Sequence, residues 1–166
     1  MSVKLRSAQS LKELKQQIRS IGTVEGVRSI GFSKSLEDKT NLMGSYDCES
    51  NEIVLQVYED DFKMMNVAFM HELAHHVAVQ AGAWRDFHLS DCRHLSANYI
   101  FLVESAIDRV AKSLWNKYVS RKAWGNYIFV YSSRDKASHL KFLEDYYKVT
   151  KIESDEDALA RYWTFA

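Results

Sequence analysis

The chain contains no proline and only two cysteines, and its 22 acidic and 22 basic residues cancel over 166 positions. Each shortage closes off a class of protein. Cys48 and Cys92 are too few for the disulfide framework of a small secreted domain, and too far apart for a thiolate metal clamp. They read as ordinary buried or half-buried thiols. A net charge of zero gives no general attraction to nucleic acid or to an anionic lipid surface, so neither is expected as a partner. No run approaches the ~18 uninterrupted apolar residues that a membrane span needs. The first residues, Met1 to Arg6, lead straight into an amphipathic segment without the apolar core of a secretory signal, and the expectation is a cytoplasmic protein. Without proline, helix ends have to be read from glycines and capping residues. The length favours one domain, residues 1–166, with a core of its own.

Ser10-Leu11-Lys12-Glu13 fits a capping box, and Leu11, Leu14, Ile18 and Ile21 recur at helical spacing up to an expected stop at Gly22. A strand is expected within 27–33 and a loop from Ser33 to Asn41. Residues 44–48 and 53–58 flank the turn-like Glu49-Ser50-Asn51-Glu52; Ile53, Leu55 and Val57 alternate, as in a half-buried antiparallel hairpin. Asp60 or Asp61 can cap a helix running to Gly82, with Phe62, Met65, Phe69 and Leu73 on its apolar side. A loop with Trp84 and His88 follows, then helical periodicity from about Asp91 to Lys122, broken at Gly125-Asn126. Tyr127 to Tyr131 suggests a short strand, Ser138 to Tyr147 a helix, and Ser154-Asp155-Glu156-Asp157 opens a last helix with a second capping box.

The chemistry concentrates in His71-Glu72-Leu73-Ala74-His75. Residues four apart on a helix share a face, so the two imidazoles can converge on one cation, and zinc is the expected ion. Glu72, beside the first ligand, can act as general base toward a zinc-activated water. The residues around the motif, Val67 to Met70 and Val77 to Val79, are apolar, and a buried His-Glu-His group without a partner would be costly.

A catalytic site of this kind needs a third protein ligand. Glu104 is the leading candidate, because a carboxylate there interrupts an apolar stripe containing Ile100, Phe101 and Ile107. Asp108 lies four residues on, where two like charges repel unless a cation or a protonated imidazole intervenes; it would accept the second N–H of a ligating histidine and fix its tautomer. The bland alternative is a solvated helix face with Asp108 paired to Lys112.

The two motifs, His71-Glu72-Leu73-Ala74-His75 and Glu104-Ser105-Ala106-Ile107-Asp108, resemble the gluzincin pattern in order and spacing. Among gluzincins, the small intracellular ImmA/IrrE-type peptidases look most similar: a hairpin precedes the motif helix, and an alanine stands where Ala111 does. The resemblance covers about residues 44 to 115. It implies an α+β, zincin-like fold in which a small antiparallel sheet from residues 27–58 packs on the central motif helix, with further helices around it. It also implies His71, His75 and Glu104 as zinc ligands, Glu72 as catalytic base and Asp108 behind a histidine. The activity implied is zinc-dependent hydrolysis of a protein or peptide substrate.

Other third ligands are open. His88 and His94 follow the motif at distances similar to those of SprT-like peptidases, whose third ligand is a histidine and which are associated with nucleic acid. Glu156 and Asp157 lie in a segment that resembles part of some phage-associated zincins, although a helix cap explains them too. The metzincin pattern is excluded, since Ala78 and Ala81 stand where glycine and histidine would be required. A module that holds zinc structurally and works through protein contacts is the second functional expectation, and it would need a closed, four-ligand site. His76 should turn away from the metal, ~100° around the helix from His75. His139 reads as a surface residue.

Overall fold

The side chain of Ser10 opens the first helix of the computed structural model, which describes residues 3–164. In α1 (Leu11–Glu25) the Ser10 Oγ accepts the Glu13 amide at 3.2 Å, while the Glu13 carboxylate accepts the Gln9 amide at 2.8 Å. The helix runs past Gly22 and stops at Gly26, whose φ of +82° is the left-handed conformation that ends helices. Gly22 has a different purpose. A Cβ there would lie 2.5 Å from Ile30 Cδ1, so the missing side chain lets the helix approach the next strand.

The strands β1 (Ser29–Ser33), β2 (Gly44–Asp47) and β3 (Glu52–Gln56) form one sheet in the order β1-β3-β2. The hairpin is antiparallel, with Tyr46 opposite Ile53. The sheet as a whole is not: β1 pairs parallel to β3, with Ile30 opposite Ile53. The expected antiparallel sheet is therefore a mixed one. The reason is a second reversal of the chain, made by a short helix, α2 (Leu36–Thr40), within the segment expected to be loop. After two reversals the chain returns beside β1 in its original direction.

Asp61 caps α3 (Phe62–Gln80), its Oδ1 accepting the Met64 amide at 3.0 Å. Beyond Gly82 come α4 (Arg85–Leu89), in the segment expected to be loop, and a 3-10 turn over Cys92–His94. The long helix α5 (Ala97–Tyr118) follows, then α6 (Arg121–Trp124), which stops at Gly125. Residues 127–131 make no strand. The Tyr127 ring packs against Trp115, and the Tyr131 amide is taken by a carboxylate, Asp108. The chain ends in α7 (Lys136–Tyr147) and α8 (Asp155–Tyr162), the latter capped by Ser154 Oγ accepting the Asp157 amide at 3.1 Å. The architecture is α+β and mainly helical. Among the described residues, no helix is long and apolar enough to cross a membrane.

The chain groups into two compact units. Of the described residues, one comprises those up to Val77 together with Val110–Ile128; the other comprises Ala78–Arg109 and those from Phe129 onward. The division falls inside α3 and inside α5, so each of these helices contributes to both units. The core of the first unit is built from Leu14, Ile18 and Ile21 of α1, Ile53 and Leu55 of β3, Met65, Phe69 and Leu73 of α3, and Trp115, all fully buried. In the second unit, Tyr99, Ile100, Val103 and Ile107 of α5 are buried along with Leu143 and Ala158. A charged network accompanies that core. Arg161 donates to Glu153 and to Asp86, each at 3.1 Å, and lies over the Tyr99 ring, whose hydroxyl also donates to Asp86.

Candidate metal centre

The central stretch of α3 is buried on every side: Val67 to Met70, Leu73 and Ala74 are apolar and covered. A polar side chain on such a helix must find a partner or lose solvation without return. Fewer than two turns of this helix carry His71, Glu72, His75 and His76, all of them buried. The rings of His71 and His75 lie with centroids 5.1 Å apart and planes 74° apart, the spacing set by one helical turn.

Glu104 is likewise buried, at 5% exposure, and Asp108 is completely so. This removes the solvated-face alternative, since both acids lie inside the protein among Ile100, Val103 and Ile107. Ligand atoms of His71, His75 and Glu104 all lie within 4.8 Å of one another. Among the described residues no other set of three or more His, Cys, Asp or Glu side chains converges in this way. Donors attached to a tetrahedral ion by bonds of ~2.0–2.2 Å stand ~3.3–3.6 Å apart, a separation that falls within this limit. Two imidazoles and a carboxylate, all buried, can hold a metal ion.

The competing ligands are elsewhere. His94 is largely exposed, its Nε2 4.0 Å from Asp91. The His88 Nδ1 lies 3.1 Å from the Trp84 carbonyl, within its own short helix. Glu156 and Asp157 are exposed in the first turn of α8, where the acidic side chains favour the positive helix end. None of the four joins the group, so the fourth protein ligand that a closed structural site would need has no candidate among them.

Asp108 accepts the backbone N–H of Tyr131 at 2.6 Å, which ties the chain after α6 to α5. His76 does face away from His75. Its Nε2 lies 2.7 Å from the Glu25 carbonyl and its Nδ1 3.2 Å from the Tyr46 hydroxyl. His139 is half-buried rather than a surface residue, with its ring against Tyr131 and Phe101 at centroid distances of 4.8 and 6.0 Å. The thiol of Cys92 donates to the Phe87 carbonyl; burial, reinforced by the carboxylates of Asp91, Glu104 and Asp86, pushes its pKa up to about 11. Burial of this kind disfavours the thiolate.

One neighbour of the motif escaped the sequence entirely. Gly44 of β2 packs on α3 so closely that a Cβ at this position would lie 3.0 Å from Glu72 Cγ. Nothing in the pattern of residues 44–48 marks that glycine, because the approach is tertiary. No family model, no curated protein and no solved structure matches the chain.

Proposed function

We propose that the chain is a zinc-dependent peptidase with a zincin-like arrangement of helices around its metal centre. The observation that carries this reading is the burial of His71, His75 and Glu104 with their ligand atoms converged, beside a glutamate that follows the first histidine. Two imidazoles and one carboxylate match the protein ligands of catalytic zinc, a set that would leave a coordination position for substrate or water. When bound, zinc supplies a Lewis acid that lowers the pKa of water and polarises a carbonyl.

The protein's own part falls to Glu72. Its carboxylate takes a proton from the attacking water as the C–O bond forms, and delivers it to the departing amine as the peptide C–N bond breaks. Asp108, buried one helical turn beyond Glu104, would serve to orient a ligand histidine when the metal is bound. The expected substrate is an extended peptide. Since β2 pairs on one side only among the described residues, its outer edge offers backbone hydrogen bonds to an added strand.

Turnover of a mixed peptide library by zinc-loaded protein tests the proposal. Wild type is expected to cleave, whereas Glu72→Gln should retain the metal and lose at least ~100-fold in rate, as loss of a general base does. Equal rates in the two proteins would sink the assignment of Glu72.

A further inference from the structure

Beside the glycine against Glu72, a second contact joins β2 to α3. Side chains two apart on a strand share a face, so Gly44 and Tyr46 point the same way. Glu72 and His76, four apart on α3, do likewise. Gly44 meets Glu72, and the Tyr46 hydroxyl stands 3.2 Å from His76 Nδ1. Two strand residues span ~6.7 Å and four helical residues ~6 Å, so the two contacts are in step.

The second contact has a defined polarity. A carbonyl can only accept, so the His76 Nε2 within 2.7 Å of the Glu25 carbonyl must carry the proton. In the neutral ring Nδ1 then accepts from Tyr46. Glu25 is the last residue of α1, so strand, metal-motif helix and α1 are joined through one imidazole.

The first contact is steric. A Cβ at position 44 would lie 3.0 Å from Glu72 Cγ, 3.2 Å from Leu55 Cδ2 and 3.4 Å from the Val54 carbonyl. Each approach is tighter than ordinary van der Waals contact, so a side chain there would press on Glu72 and on β3 together.

We propose that β2 positions Glu72, with Gly44 as the positioning residue and the Tyr46–His76 hydrogen bond holding strand and helix in register. The consequence for turnover rests on the peptidase reading; the positioning itself does not. The backbone of Gly44 limits where the Glu72 side chain can lie, so the carboxylate is placed by the sheet as well as by its own helix.

The test is a double-mutant cycle on thermal unfolding of metal-free protein, followed by kinetics on zinc-loaded protein. Gly44→Ala is expected to lower the melting temperature in wild type, and by less than half as much in a Glu72→Ala background, where Cγ is gone. If Gly44→Ala fails to fold, Gly44→Ala with Glu72→Ala should recover the fold. An equal loss in both backgrounds, or no recovery, overturns the contact. With zinc bound, Gly44→Ala should lower kcat on the order of 10–100-fold at unchanged KM and metal content, the scale of a displaced catalytic group. Tyr46→Phe, which keeps the ring and removes the hydroxyl, should lower kcat in the same direction by a smaller factor. A coupled cycle with wild-type kcat in both variants overturns positioning. If wild type itself cleaves nothing, the peptidase reading fails, and the unfolding cycle alone decides whether Gly44 constrains Glu72.

Discussion

Asn66 is the residue whose environment is hardest to reconcile with its chemistry. It lies on α3, fully buried, and neither its amide nitrogen nor its carbonyl oxygen meets a polar partner among the described residues. A buried polar group left unpaired costs ~1–3 kcal/mol, and an apolar replacement of similar shape recovers it. Asn66→Leu is therefore expected to raise the stability to urea unfolding by ~1–2 kcal/mol. A fall would mean that solvent bound at the amide satisfies it. Position 66 also shows how residue-scale features differ in legibility. His71, Glu72 and His75 were readable because their relation is local, fixed by the helix repeat. Glu104 was readable because an acid inside an apolar stripe is conspicuous. Gly44 and the Tyr46–His76 bond were not, because they depend on which strand a helix packs against, and no spacing along the chain encodes that.

Elements were legible where a cap or a period announced them. The hydroxyls of Ser10 and Ser154 sit where their capping patterns placed them, and Asp61 starts α3. Gly22 misled because a helix interior glycine and a helix stop are the same letter; only the Ile30 side chain against it tells them apart. That distinction is testable. Gly22→Ala should gain ~1 kcal/mol of helix propensity yet lose more to the 2.5 Å approach of Ile30 Cδ1. The net expectation is a destabilisation of ~1–3 kcal/mol, partly recovered by Ile30→Val and read from denaturant unfolding. A neutral result would show that Ile30 rotates aside. The short helix α2 was missed because Leu36–Thr40 is too brief to show a period, and the parallel pairing of β1 follows from that hidden reversal. Tyr127 to Tyr131 has strand-forming residues but pairs with no strand among the described residues, and propensity alone makes no sheet. At the α8 end, burial pushes the pKa of Glu153 up, but the hydrogen bonds from Ser96 and Arg161 outweigh it and hold the carboxyl below its ordinary value. A depressed folded pKa stabilises above the unfolded value and is lost as pH falls through the folded one. Stability should therefore decline on acidification below about pH 4.5, the ordinary range of the group, and Glu153→Gln should flatten that decline. An unchanged slope would remove Glu153 from the account.

At the scale of the whole molecule, one buried group of side chains that could hold a metal ion stands out among the described residues: His71, His75 and Glu104. The two compact units each have an apolar core, and α3 and α5 run through both. Binding of an ion only by the folded chain adds to stability by mass action, ~4 kcal/mol at a thousandfold excess over the dissociation constant. The measurement closest to the central claim is the metal content of the purified protein and of Glu104→Ala, by elemental analysis after exposure to zinc. One zinc per wild-type chain and a large loss in Glu104→Ala is the expected result. No zinc in wild type, or full zinc in Glu104→Ala, would contradict the assignment of His71, His75 and Glu104 as its ligands.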